Sequence, residues 1–136
     1  MLLISMSQEA WTDLATYAPE DIKANVGYMD KLIKELTESG EFIGGEGLGG
    51  PARMKVVQAR PGGDALITDG PMAEAKEFLA GYFAIDVATP ERALEIAARV
   101  SAAPGRGGEP VNGPIEVHPI MDAPDVDPEL LAPYRP

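Results

Sequence analysis

The segment from residue 68 to residue 87 constrains the fold most, because a tight polar turn leads there into a long apolar strand. Thr68-Asp69-Gly70-Pro71 has turn chemistry: Asp bonds to nearby backbone, Gly tolerates positive φ, and Pro fixes φ. Residues 78–87 are rich in aromatic and β-branched side chains, which predicts a strand in the core. The turn therefore places the Asp69 carboxylate at the mouth of a core strand.

Two helices are predicted from apolar periodicity. The first begins at Pro19, which suits the first helical position, and ends at the C-terminal cap Gly40. Its predicted buried stripe consists of Ile22, Val26, Met29, Ile33 and Leu36. The second helix follows the N-cap candidate Thr89, and its predicted apolar face consists of Ala93, Ile96, Ala97 and Val100.

Short strands are predicted at residues 2–6, 41–43, 54–59, 65–67 and 115–120, and those at 54–59 and 65–67 are expected to form a hairpin. The first is apolar throughout, as expected of a central strand, whereas Pro119 favours an edge or a strand end for the last. The order predicts an α+β fold of the ferredoxin-like, split β-α-β type, an antiparallel sheet with two helices on one face. Because the other face stays uncovered, we expect a homodimer formed by sheet-to-sheet packing.

Length and charge limit the domain organisation and the partners. The 136 residues are enough for one core, and we expect one domain at 1–121 followed by an acidic, proline-rich tail at 122–136. Eleven basic and 22 acidic residues give a net charge of -11, which disfavours direct nucleic-acid binding and anionic membranes. With no basic leader and no long apolar run, a cytoplasmic protein without a membrane partner is expected.

The glycine-rich stretch Gly45-Glu46-Gly47-Leu48-Gly49-Gly50 satisfies the pattern of a dinucleotide-binding loop. That pattern needs a following helix to hold the pyrophosphate, yet here Pro51-Ala52-Arg53 leads into a strand. We therefore expect no such cofactor. The glycines are instead expected to form a bulge or a close backbone approach at a cavity rim, with Glu46 as the ionisable group of the loop.

His118 is the only histidine and the chain has no cysteine, so neither a His-His pair nor a thiolate site is available for a metal. The strand alternation places Glu116 and His118 on one face. Two interpretations stay open for His118: a partly exposed strand residue, or a general acid or base acting with Asp69 or Glu46. Tyr82 and Phe83 must point to opposite sheet faces, one towards the helices and the other towards a dimer interface or a cavity.

Several of these segments resemble YCII-related proteins, whose signature is Asp-Gly-Pro-Phe (the DGPF domain). The resemblance runs from Leu2 to about Ile120 and rests on the opening strand, Gly44-Gly45-Glu46-Gly47-Leu48, Thr68-Asp69-Gly70-Pro71, the strand through Gly81-Tyr82 to Asp86-Val87, Ala93-Leu94-Glu95, and the closing Ile115-Glu116-Val117-His118-Pro119-Ile120. It implies a dimeric α+β barrel with a pocket between sheet and helices and an unsettled role. Some members are associated with extracytoplasmic-function sigma factors, and others look like small-molecule isomerases, lactone-processing enzymes or dehalogenases.

The sequence departs from the family pattern at three places. Relatives often carry a histidine on the first helix, where this chain has Tyr28 or Met29; Met72 replaces the signature aromatic; and His118 stands where relatives often have arginine.

We therefore expect an unknown small molecule to contact Tyr28, Met29, Glu46, Met72 and Tyr82, and cofactor-independent acid–base chemistry to involve Asp69 and His118. Asp69 is also interpreted as a conformational anchor of its turn. The alternative function is a non-catalytic regulatory or protein-interaction module, linked to a sigma factor. An enzyme needs Asp69 facing a partly apolar pocket, whereas a module needs an exposed, contiguous patch.

Overall fold

The computed structural model describes residues 1–72 and 74–121, so the predicted tail at 122–136 lies outside the described residues. The elements in chain order are β1 (Leu2–Ser7), α1 (Gln8–Leu14), α2 (Pro19–Glu38), β2 (Phe42–Gly47), β3 (Lys55–Gln58), β4 (Leu66–Asp69), β5 (Glu77–Ile85), α3 (Pro90–Ser101) and β6 (Ile115–Val117). Two short 3-10 turns, Pro51–Arg53 and Arg106–Gly108, lie between them.

Four strands form an antiparallel sheet in the order β2-β5-β1-β6, and β3 and β4 form a separate two-stranded hairpin. This order is that of the ferredoxin-like fold, which confirms the predicted α+β class. The apolar first strand is central, as predicted. The last strand lies at an edge of the sheet and ends at Val117, before Pro119, which agrees with the prediction of an edge or a strand end. The predicted hairpin is also confirmed.

Helices α2 and α3 cover one face of the sheet. Leu2 of β1 and Phe83 of β5 are paired in register and point into this layer, at 0% and 5% exposure. The buried helical residues that meet them are Leu32, Leu36, Ile96, Ala97 and Val100. Full burial of a leucine or isoleucine side chain contributes about 1.5–3 kcal/mol, so this layer supplies most of the driving force for folding.

The predicted stripe on α2 is wrong in its first half. Ile22 and Val26 are 38% and 52% exposed, whereas Leu32, which the predicted stripe omits, is 1% exposed. Polar hydrogen bonds occupy the inward side of this part of the helix. Asn25 Nδ2 donates to the Pro104 carbonyl at 2.8 Å, and the Tyr28 hydroxyl donates to the Arg99 carbonyl at 2.9 Å.

Helix α1 is an element that the sequence patterns did not predict, because seven residues are too few to establish a helical period. Its signal is the N-cap: the Ser7 hydroxyl accepts a hydrogen bond from the Ala10 N–H at 3.1 Å. Trp11 of this helix packs edge-on against Phe78 of β5, with ring centroids 5.8 Å apart. The helix thus adds a side wall next to the start of β5.

A forked ion pair connects the α2–β2 loop to α3. The Arg92 guanidinium donates to both carboxylate oxygens of Glu41, at 2.7 and 2.9 Å, and the Ser39 hydroxyl donates to the same carboxylate at 2.8 Å. The Glu41 side chain is 18% exposed. The hydrogen bond from Arg92, supported by that from Ser39, lowers the pKa of Glu41 to about 2.

This pair makes stability depend on pH in a defined direction. Because the pKa of Glu41 is lower in the folded protein than its ordinary value of 4.5, its stabilising effect is present above pH 4.5 and is lost as the pH falls towards about 2. We expect Glu41→Gln to lower the urea midpoint at neutral pH. The difference in urea midpoint between the wild type and this variant should shrink as the pH falls from 4.5 towards about 2, because the wild type then loses the stabilising effect of its carboxylate. Glu38→Gln is the control, since the Glu38 carboxylate lies 3.9 Å from Lys34 and is 67% exposed. Equal pH profiles for the two variants would contradict the assignment.

Candidate functional site

Asp69 is the last residue of β4 and lies opposite Lys55 of β3 in the hairpin register. Its carboxylate forms an ion pair with the Lys55 ammonium, and its side chain is 84% exposed. The side chain therefore points to solvent, and the inward orientation that an acid–base role requires is not the one in this structure. Asp69 serves here as a hairpin residue, and its catalytic role stays a prediction.

The residues that follow Asp69 do border a cavity. Gly70 and Pro71, joined by a cis peptide bond, form one wall of a cavity of about 310 Å³ that we call the turn cavity. Its lining residues are Gln8, Trp11, Pro51, Ala52, Gly70 and Pro71. The volume lies at the lower end of the range of about 300–1,000 Å³ typical of small-molecule sites. The walls combine an indole and two proline rings with one amide side chain.

Hydrogen bonds and close packing hold the turn cavity together. The Gly70 N–H donates to the Met54 carbonyl at 2.9 Å, which fastens the turn to the segment preceding β3. Gly50 lies directly against Trp11, because a Cβ at Gly50 would stand 2.4 Å from the indole ring. The predicted close backbone approach at a cavity rim is thus confirmed at Gly50. The irregularity of β2 lies earlier than the predicted bulge: the register shifts between Phe42 and Gly44, before the stretch 45–50.

A second cavity, of about 420 Å³, includes Arg53, the last residue of the Pro51–Arg53 turn, in its wall. We call it the arginine cavity, and its lining residues are Leu48, Gly49, Arg53, Met54 and Leu79. The two cavities share no lining residue. The segment between β2 and β3 therefore contributes to two separate concave surfaces.

The sheet face opposite α2 and α3 carries a row of four residues, one on each strand. The register aligns Glu46 with Tyr82, Tyr82 with Leu3, and Leu3 with Glu116. Because Phe83 points into the helical layer, Tyr82 points to this open face, as the predicted alternation requires. The row has apolar or aromatic residues at its centre and a carboxylate at each end.

His118 follows β6, and its Nε2 atom lies 2.8 Å from a carboxylate oxygen of Glu116. Both side chains are more than half exposed, at 53% and 58%. The predicted partners of His118 were Asp69 and Glu46; the structure instead pairs it with Glu116, two residues earlier on the same strand face. The spacing of two along a strand is the sequence signal that identifies this partner.

The remaining predicted site residues are distributed over different places. Tyr28 and Met29 pack against the helix–sheet core, and neither lines the turn cavity or the arginine cavity. Met72, at the signature position, is 69% exposed. The predicted set is thus split among the helical layer, the open sheet face and the hairpin turn, and Gln8 and Arg53 are cavity residues that the sequence did not indicate.

Within residues 1–72 and 74–121, no group of three or more histidine and acidic side chains is arranged to hold a metal ion. None of the helices in the described part of the chain is long and apolar enough to cross a membrane.

Comparison with known proteins identifies the family. The sequence profile of the YCII-related domain matches residues 5–108, which includes the signature turn and most of the sheet. The chain belongs to the YCII-related family. It is also 40% identical over 58 residues to a protein of Rhizobium meliloti (strain 1021) that is described as uncharacterized, and the match spans 43% of each chain. The chain therefore aligns with less than half of that relative's length.

The packing of Trp11 on Gly50 can be tested directly, since Trp11 is the only tryptophan. Gly50→Ala places a methyl group within the contact distance of the indole ring, and we expect a loss of about 1–3 kcal/mol of unfolding free energy with a changed tryptophan emission. Gly49→Ala is the matched control, because no atom lies within 4 Å of its added Cβ. Urea unfolding followed by fluorescence measures both effects, and equal losses in the two variants would refute the packing argument.

Proposed function

We propose that this YCII-related protein binds a small molecule in the turn cavity. The observation that supports the proposal is the position of the family's signature turn: Gly70 and Pro71 form a wall of this cavity, opposite an indole ring and a second proline. A ligand between such walls gains by burying a flat apolar surface, and the Gln8 amide offers a hydrogen bond that orients it. The proposed ligand is therefore a small ring compound with one polar group.

The catalytic version of this proposal assigns cofactor-independent acid–base chemistry to Asp69. Asp69 immediately precedes the Gly70-Pro71 wall, but its carboxylate pairs with Lys55 outside the cavity. Proton transfer to a bound ligand would require the side chain to leave Lys55 and turn inward. His118 pairs with Glu116 on the sheet's open face and so belongs to a different surface.

A ligand screen followed by the fluorescence of Trp11 tests the proposal. We expect a binder to change the emission and to raise the melting temperature of the wild type. Gln8→Ala should weaken this binding by about threefold to tenfold, since a neutral hydrogen bond is lost. Gln58→Ala on the exposed hairpin is the control and should leave affinity unchanged.

Two further results of that screen are decisive. A hit with equal affinity for the wild type and for Gln8→Ala, or one that leaves Trp11 emission unchanged, would place the ligand elsewhere. Asp69→Asn separates the two versions of the proposal when the wild type converts a bound hit to a product. A variant that still binds the hit but no longer converts it supports catalysis at Asp69. A variant that still converts it assigns Asp69 to the turn alone.

We also propose that the protein is a homodimer formed through the open sheet face. The row across this face has Leu3 and Tyr82 at its centre and Glu46 and Glu116 at its ends, an arrangement of apolar core and polar rim typical of protein interfaces. The helices cover only the opposite face. A second copy, sheet against sheet, would remove this partly apolar surface from water.

Light scattering across a dilution series tests the dimer. We expect the wild type to be dimeric and Leu3→Glu, at the centre of the row, to be monomeric, because it places two like charges in the interface. Val57→Glu on the hairpin is the control and should remain dimeric. Circular dichroism verifies that each variant is folded. A monomeric wild type at the highest concentration would refute the proposal without any variant.

The alternative function is a regulatory module that contacts another protein, such as a sigma factor. One observation favours it: Val57 and Ile67 are paired across the hairpin and are 62% and 64% exposed. A contact of this kind would depend on the hairpin face and would leave the turn cavity without a role, so the ligand screen distinguishes the two functions.

A further inference from the structure

The arginine cavity is chemically different from the turn cavity. Three of its lining side chains, Leu48, Met54 and Leu79, are apolar, and the fourth is the guanidinium-bearing Arg53. Gly49 completes the wall without a side chain. A cavity that combines apolar walls with a single cation selects ligands by charge as well as by shape.

Arg53 differs from most arginines of the described chain in its contacts. Arg92, Arg99 and Arg106 each donate to carboxylates of the protein. Within residues 1–72 and 74–121, Arg53 makes no ion pair and no side-chain hydrogen bond, and the same is true of Arg60 at the hairpin turn. Of these two, only Arg53 lines a cavity. Acidic residues outnumber basic ones two to one in this chain, yet Arg53 has no carboxylate partner among the described residues.

The backbone next to Arg53 offers a second donor. Gly49 is exposed, and nothing lies within 4 Å of the position that its Cβ would take, so a ligand can approach the main chain. Within the described residues, the neighbouring Leu48 N–H donates to the Ala80 carbonyl, whereas no protein acceptor is found for the Gly49 N–H. Gly49 and Arg53 both line the cavity, and the donors that they carry, a backbone N–H and a guanidinium, match the acceptors of a carboxylate.

We propose that the arginine cavity binds a small monocarboxylate with an apolar body. The carboxylate accepts hydrogen bonds from the Arg53 guanidinium, whose planar fork suits two carboxylate oxygens. The apolar body lies against Leu48, Met54 and Leu79. This site is separate from the turn cavity, and its existence does not depend on the ligand proposed there.

The test uses NMR titrations of the full chain, labelled at the methionine and leucine methyl groups and at the side-chain nitrogens of glutamine and tryptophan. The probes are acetate, butyrate, benzoate and 3-phenylpropionate, each compared with its neutral primary amide. We expect saturable shifts at the Leu48, Met54 and Leu79 methyls with the larger carboxylates, and affinities that rise from acetate to 3-phenylpropionate. Each amide should bind at least about tenfold more weakly than its carboxylate, since the charged hydrogen bonds are lost.

Variants distinguish a specific site from general electrostatics. Arg53→Gln should weaken benzoate binding by about tenfold or more, whereas Arg60→Gln removes an equal charge outside the cavity and should leave it unchanged. Three results would overturn the proposal: no saturable shift with any carboxylate, equal weakening by the two variants, or shifts at Gln8 and Trp11 in place of the three methyl-bearing residues. The last result would place the carboxylate in the turn cavity and would leave the small-molecule proposal for that cavity intact.

Discussion

The rest of the structure depends on the apolar contact between the sheet and helices α2 and α3. Leu2 is the residue at its centre: it is fully buried, it is paired with Phe83 on one side and with Val117 on the other, and all three contribute to the helical layer. Because α2 and α3 both pack on this one face, neither of them covers the opposite face. The fold thus fixes where further contacts are available, namely the open face and the loops at the ends of the strands.

The long connection between β2 and β5 builds the concave surfaces that the two-layer core does not. Its first part, residues 48–54, contributes lining residues to both cavities. Gly50 admits the indole of Trp11, which lines the turn cavity, and Arg53 lines the arginine cavity. Gly50 acts through close packing, since a side chain at this position would displace the ring that forms the wall. The stretch that satisfies a dinucleotide-binding pattern is followed by a 3-10 turn and then by β3, not by the α-helix that the pattern requires.

Sequence patterns predicted the elements that depend on regular periodicity or on local turn chemistry. The central strand, the hairpin, the cap at Thr89 and the apolar face of α3 are confirmed. The errors arise where tertiary contacts decide. Asn25 and Tyr28 take the inward side of α2 through hydrogen bonds to carbonyls, so Ile22 and Val26 are left outside. The candidate site was predicted least well, because Gln8, Trp11 and Pro51 come together only through packing between distant segments.

The signature turn shows why residue type alone does not define a site. The hairpin register places Asp69 opposite Lys55, and strand alternation then puts both side chains on the face that also exposes Val57 and Ile67. The same register brings the next two residues, Gly70 and Pro71, back towards Trp11, because the Gly70 N–H bonds to the Met54 carbonyl. The turn therefore contributes backbone and ring surface to the cavity while its carboxylate stays outside. A ligand would meet the shape of this turn first, and any chemistry at Asp69 would depend on a rearrangement that breaks the pair with Lys55.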